Sequence, residues 1–167
     1  GSLAFVMANI INYTLPDAEI IVIGRHWEKL ELFSFAHERY ITDGIPEDLS
    51  FDHGFECCGG DGSGPAINDL IRYIKPQGTI LMMGVSEYKV NINTRDSLEK
   101  GLLLVGSSRS GRVDFENAIK MMEIKKFANR LKNIIYLEEP VREIKDIHRV
   151  FATDLNTAFK TVFKWEV

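Results

Sequence analysis

Glycine closes each aliphatic run in the middle of this chain. Gly24 ends IIVIG, Gly59-Gly60 follows FDHGFECC, Gly84 ends TILMMG and Gly106 ends LLLVG. Parallel sheets flanked by helices bind ligands at the carboxyl ends of their strands. Glycine at such a place lets backbone approach a ligand that any side chain would hold off. One such glycine is an ordinary turn. Four at the same point of successive strands predict a nucleotide cleft, without saying which nucleotide.

The first of them is followed by a base. In dinucleotide-binding sheets an acid at the end of this strand accepts hydrogen bonds from the ribose and repels a 2′-phosphate. Here the position is Gly24, and Arg25 is next. A guanidinium can grip a phosphate through two parallel hydrogen bonds. The pair argues for NADP(H), with His26 and Lys29 adding positive charge. A solvated basic turn is the competing reading. A methyltransferase on a similar sheet would want an acid at this strand end, and Gly24 argues against it.

The remaining reactive side chains are less telling. Cys57 and Cys58 are the only cysteines. Neighbouring cysteines seldom bridge each other, and the spacing is not that of a zinc site. No base accompanies them in sequence, so they read as inert filler, which fits a reducing cytoplasm. His37, His53 and His148 do not cluster. His53 alternates with Phe51 and Phe55, which favours a core-facing or satisfied histidine over a ligand. Asp52 and Glu56 make no evident acid–base pair. Asp96 and Glu99 read as a solvated helix face.

Apolar spacing at Leu3, Val6, Met7, Ile10 and Ile11 predicts one face of a helix that Pro16-Asp17 ends. Strands are expected at 19–24, 39–42, 51–58, 79–85 and 102–107, and a closing strand over FKTVFKWEV. Helices are expected at 27–36, 65–74, over RDSLEKG, and over VDFENAIKMMEI and EIKDIHRVF. Strands alternating with helices imply parallel crossovers and an α/β, doubly wound, Rossmann-like sheet. No strand precedes the first helix, so the sheet is expected to lack its first strand. A chain that opens in mid-helix reads as a piece of a longer protein, unless Gly1-Ser2 is a cloning remnant.

The 167 residues, 45% of them hydrophobic, suffice for a real core. The formal net charge of −4 and the lack of a basic tract make nucleic acid an unsuitable partner. No apolar run reaches the roughly 18–20 residues that span a bilayer. Neither an internal repeat nor a low-complexity stretch is visible.

GSLA at the start resembles the tail of the fingerprint G-x-G-x-x-G/A, with Gly1 its second glycine and Ala4 its last position. The distance from Ala4 to Gly24 is about that from fingerprint to ribose-holding residue. With FDHGFECCGGDGS, MMGVSEYKVNINTR, LEKGLLLVGSSRSG and the final KTVFKW, the chain resembles the coenzyme-binding part of the zinc-dependent medium-chain dehydrogenases. Within them it is most similar to the ribulose-5-phosphate reductases, also called ribitol-5-phosphate 2-dehydrogenases.

The resemblance implies an NADP(H) site. Gly1, Ala4, Gly24, Arg25 and Lys29 would serve the phosphates and ribose. Cys58, Gly59, Met83, Gly84 and Val85 would offer backbone along the coenzyme and its nicotinamide. Ser107, Ser108 and Arg109 would lie near the nicotinamide, and Lys160 near the pyrophosphate. A surface arginine at 109 and an edge lysine at 160 that guards against aggregation are the plainer readings.

It also implies a catalytic zinc whose ligands lie outside this chain, so that the chain alone is inactive. Residues 1–126 would form the truncated coenzyme domain. Residues 127–167 would dock on the other domain, and in its absence the closing strand needs another partner, such as a second copy. A homodimer joined at sheet edges and a functional link to a cytidylyltransferase complete the expectation. A dehydrogenase for another polyol and a non-catalytic nucleotide sensor remain the alternatives.

Overall fold

In the computed structural model, which describes residues 1–157 and 159–166, the aliphatic runs form strands and the segments between them form helices. The elements are α1 (Ser2–Thr14), β1 (Ile21–Gly24), α2 (Trp27–Leu30), β2 (Glu38–Ile41), β3 (Phe51–Glu56), α3 (Ser63–Tyr73) and β4 (Ile74–Met82). They continue with α4 (Thr94–Glu99), β5 (Leu103–Gly106), α5 (Arg112–Glu123), α6 (Lys125–Leu131), β6 (Ile135–Leu137), α7 (Ile144–Asn156) and β7 (Lys160–Val162).

The strands fall into three ladders: β1 with β2, β3–β4–β5, and β6 with β7. β3–β4, β4–β5 and β6–β7 are parallel. A six-stranded doubly wound sheet has the order 3-2-1-4-5-6. Without its strand 1 it would show two ladders, 3-2 and 4-5-6. The first two ladders correspond to these, and no strand among the described residues takes position 1.

The chain divides into two compact units, Gly1–Arg39 with Val113–Val167, and Tyr40–Arg112. The first is organised on Phe5, which is fully buried. Its ring meets Phe33 at 5.2 Å and Phe35 at 5.7 Å, both edge-on, an arrangement that suits the charge distribution of aromatic rings. Ala8, Ile20 and Ile134 complete this core. The Asn9 side chain is buried beside it. It donates to the Phe5 carbonyl at 2.8 Å and accepts from Arg130 at 3.0 Å. Arg130 also reaches Asn12 at 2.9 Å and stacks 4.3 Å from the centre of Phe35. These bonds tie α1 to α6.

The second unit packs α3 on its ladder through Ile67, Ile71, Ile74 and Ile80. Lys100 closes the carboxyl end of α3, its ammonium donating to the carbonyls of Ile71, Arg72 and Ile74 at 2.7–3.0 Å. That satisfies carbonyls which a helix end leaves without partners.

Several expectations need correction. α1 buries Phe5, Ala8 and Asn9 most deeply rather than the Leu3–Val6–Ile10 face, because Arg130 supplies the partner that lets an asparagine go inside. Helix α2 stops at Leu30, and 31–36 continue as turns, with Phe33 and Ala36 donating three residues back. Leu30 and Phe33 are buried nonetheless, so the apolar spacing marked the core and not a helix. β4 begins at Ile74, paired with Phe51, then loops out before Thr79 pairs with His53. Gln77 takes a left-handed φ of 64° in that loop. His53 is exposed, since Gly54 and Glu56 are the inward residues of β3. Among the described residues the closing strand is Lys160–Val162, the expected last position Val167 lying outside them, and its partner is β6, an element the periodicity does not predict. It therefore pairs within the chain.

Replacing Phe5 with alanine should remove about 3–5 kcal/mol of stability through lost burial and an unfilled cavity. Urea unfolding of the two proteins measures it, and a loss below about 1 kcal/mol would contradict Phe5 as the centre of this core.

Candidate functional site: the carboxyl ends of the strands

β1 ends at Gly24, and the chain turns through Arg25 and His26 into α2. A side chain on Gly24 would place its Cβ 3.1 Å from the Leu30 Cδ2. Glycine here thus lets α2 fold down onto the strand end with Leu30 buried beneath it. Arg25 is exposed and makes no side-chain hydrogen bond or ion pair among the described residues. Lys29 is half-buried in α2. The turn therefore carries a guanidinium and an ammonium within five residues, with the guanidinium open to solvent.

Gly1 caps α1, its carbonyl accepting from the Phe5 amide at 3.1 Å. Ala4 lies half-buried in the first turn. The amino end of a helix presents unpaired N–H groups and a partial positive charge, a suitable seat for a phosphate. Lys160 is exposed at the start of β7, opposite Ile135.

In the second unit the ends of β3 and β4 are drawn together by a residue that the sequence did not single out. Glu56, the last residue of β3, is 1% exposed. One carboxylate oxygen accepts from the amides of Cys58 at 2.8 Å and Gly59 at 2.9 Å. The other accepts from Gly84 at 2.9 Å. The Glu56 carbonyl takes the Met83 amide at 3.0 Å. Beyond these, the Gly60 amide donates to the Val85 carbonyl at 2.8 Å and the Ser86 hydroxyl to the Gly60 carbonyl at 3.1 Å.

The approach leaves no room for side chains. A Cβ on Gly84 would lie 2.3 Å from the Gly59 nitrogen and 2.4 Å from the Glu56 Oε1. Gly59 has φ 68°, and its Cβ would lie 2.8 Å from the Val85 carbonyl oxygen. Val85 itself stands 86% exposed. Cys58, Gly59, Met83, Gly84 and Val85 are thus brought into one small region. Glu56 was missed because its donors at Gly84 and the glycine pair are defined by the fold. The one signal in sequence was a charged residue at an inward position of a strand.

Ser107, Ser108 and Arg109 follow β5 and are exposed. The Ser107 amide donates to the Met82 carbonyl at 3.0 Å, which sets this segment beside the end of β4. Arg109 adopts a left-handed φ of 66°, uncommon for a residue with a side chain. Burial, reinforced by the charge of Glu56, pushes the Cys57 thiol up from an ordinary 9.0 to about 11. It is protonated at neutral pH. Among the described residues no three His, Cys, Asp or Glu side chains gather as a metal site, and no helix is long and apolar enough to cross a membrane.

No protein-family model matches the chain. Over its full 167 residues it is 90% identical to the ribulose-5-phosphate reductase of Streptococcus pneumoniae, covering 48% of that protein. The crystal structure of S. aureus TarJ in complex with NADPH superposes on the whole chain with a TM-score of 0.96 and 41% identity, over 54% of TarJ. The L-idonate 5-dehydrogenase of Escherichia coli shares the fold, with a TM-score of 0.79 at 19% identity, over 99% of this chain and 48% of that one. The chain spans about half the length of the curated relatives it matches. From end to end, it matches one half of the ribulose-5-phosphate reductases.

Proposed function

We propose that this chain is the NADP(H)-binding portion of a zinc-dependent reductase that converts D-ribulose 5-phosphate to D-ribitol 5-phosphate. The observation that carries the coenzyme reading is the open guanidinium of Arg25 beside Gly24 at a strand end. That place suits the 2′-phosphate of NADP(H), with Lys29 adding charge and contacting the ribose. Gly1 and Ala4, at the amino end of α1, serve the pyrophosphate together with Lys160. The backbone of 83–85 faces the nicotinamide carboxamide, with Cys58 and Gly59 along its edge. Ser107, Ser108 and Arg109 lie toward the nicotinamide and the substrate. The likeness to the pneumococcal reductase and to NADPH-bound TarJ supports the same assignment.

When bound, the coenzyme supplies hydride transfer between the nicotinamide C4 and the substrate carbonyl carbon. The residues of this chain hold and orient it. The ligands of the zinc ion that would polarise the carbonyl belong to the other half of the reductase, and the chain by itself turns over no substrate. Residues 127–167 dock on that half. The product feeds CDP-ribitol synthesis through a cytidylyltransferase, for teichoic acid or capsule. β5, an edge of its ladder with Leu103 exposed, is the edge through which two copies join.

Two tests follow. In the complete reductase, Arg25→Ala should weaken NADPH binding by about ten- to a hundred-fold, the loss of a charge-assisted contact of roughly 1.5–3 kcal/mol, and leave NADH little changed. Equal wild-type affinity for the two coenzymes would overturn the phosphate assignment. Activity on an unphosphorylated polyol alone would overturn the substrate. For the thiol, iodoacetamide alkylation of Cys57 in a Cys58→Ser protein should titrate above the ordinary 9.0, held up by burial and the charge of Glu56. A midpoint at or below the ordinary 9.0 would restore thiol chemistry as a contender.

A further inference from the structure

We infer that Glu56 is a positioning residue for the coenzyme: its carboxylate sets the backbone on which the nicotinamide half rests. This deepens the coenzyme reading above and rests on it.

Among the described residues, the three side-chain bonds of Glu56 all go to amides beyond the strand ends, at Cys58, Gly59 and Gly84. The β3–β4 ladder is already complete without them, since Glu56 pairs with Met82 through backbone. What the carboxylate adds is the path of the chain after each strand. One oxygen folds 58–59 back over the end of β3, and the other draws in the start of 84–85. The Gly60 amide then reaches the Val85 carbonyl, and Ser86 reaches Gly60. A Cβ on Gly60 would meet nothing within 4 Å, and Val85 is exposed. The clamp therefore presents an open, small-residue surface on its outer side.

The chemistry demands an acid. Three N–H donors converge on two oxygens, and a carboxylate accepts without donating. A glutamine of the same shape would turn an NH2 toward at least one of these amides, donor against donor. An aspartate is one methylene shorter and reaches one strand end only. A carboxylate this deeply buried is costly unless it is hydrogen-bonded, and the three amides take three of its roughly four lone-pair sites.

NADPH and NADH binding to the complete reductase, read by nicotinamide fluorescence, tests this in wild type, Glu56→Gln and Lys100→Met. Amide exchange of each protein is followed alongside. Glu56→Gln should stay folded, weaken both coenzymes equally by about ten-fold, and speed exchange at Cys58, Gly59 and Gly84. Lys100→Met removes a structural cap from the same unit. It should lower the unfolding temperature and leave both affinities unchanged.

Wild-type affinity for both coenzymes in Glu56→Gln would overturn the inference. So would Lys100→Met weakening them as much. Should Glu56→Gln fail to fold, Glu56→Asp carries the test, with an intermediate loss expected and wild-type affinity contradicting it. A wild type that binds neither coenzyme overturns the coenzyme reading itself, and this inference with it.

Discussion

A buried carboxylate must find donors or lose its charge, and Glu56 finds three in the backbone. That requirement organises the second unit. The segment at 58–59 and Gly84, 28 residues on from Glu56, have to bring their amides to one side chain, so both must pass closer than ordinary residues permit. Gly84 and Gly59 are glycine for this reason, each with backbone where a Cβ would be. Glycines that the sequence offers as room for a ligand make room for one another's backbone, and strand ends packed this tightly present backbone outward.

The first unit solves a parallel problem with apolar contacts. Phe5 holds α1 against the turns that carry Phe33 and Phe35, and Arg130 anchors the same face of α1 through Asn9 and Asn12. Leu30, buried in α2, rests on Gly24. The turn holding Arg25 is thereby fixed at its base while the guanidinium stays in water. The proposed selectivity for a phosphorylated ribose needs that combination, a rigid backbone under a charge with no competing partner.

The fold class was legible because buried parallel strands write themselves as β-branched runs, and the glycines mark their ends. The two ladders expected of a sheet without its first strand follow from the same runs. Detail was lost where tertiary partners decide. The buried face of α1 depends on Arg130, 121 residues from Asn9. Strand β6 is three exposed residues that become a strand only beside β7. The apolar spacing of 27–36 is helical in period, yet the chain buries Leu30 and Phe33 through successive turns. At the candidate site, Arg25 and the glycines are readable as strand-end positions from type and place. Glu56 was not, because one acidic letter in a strand does not reveal which amides will surround it.

Amide exchange of the wild-type protein, mapped with and without NADPH, addresses the central claim most directly. If the strand ends hold the coenzyme, protection should rise in the Gly24–Arg25 turn and at residues 83–85, and remain unchanged in α7. Protection confined to other segments, or none at saturating NADPH, would contradict a coenzyme site built on these strand ends.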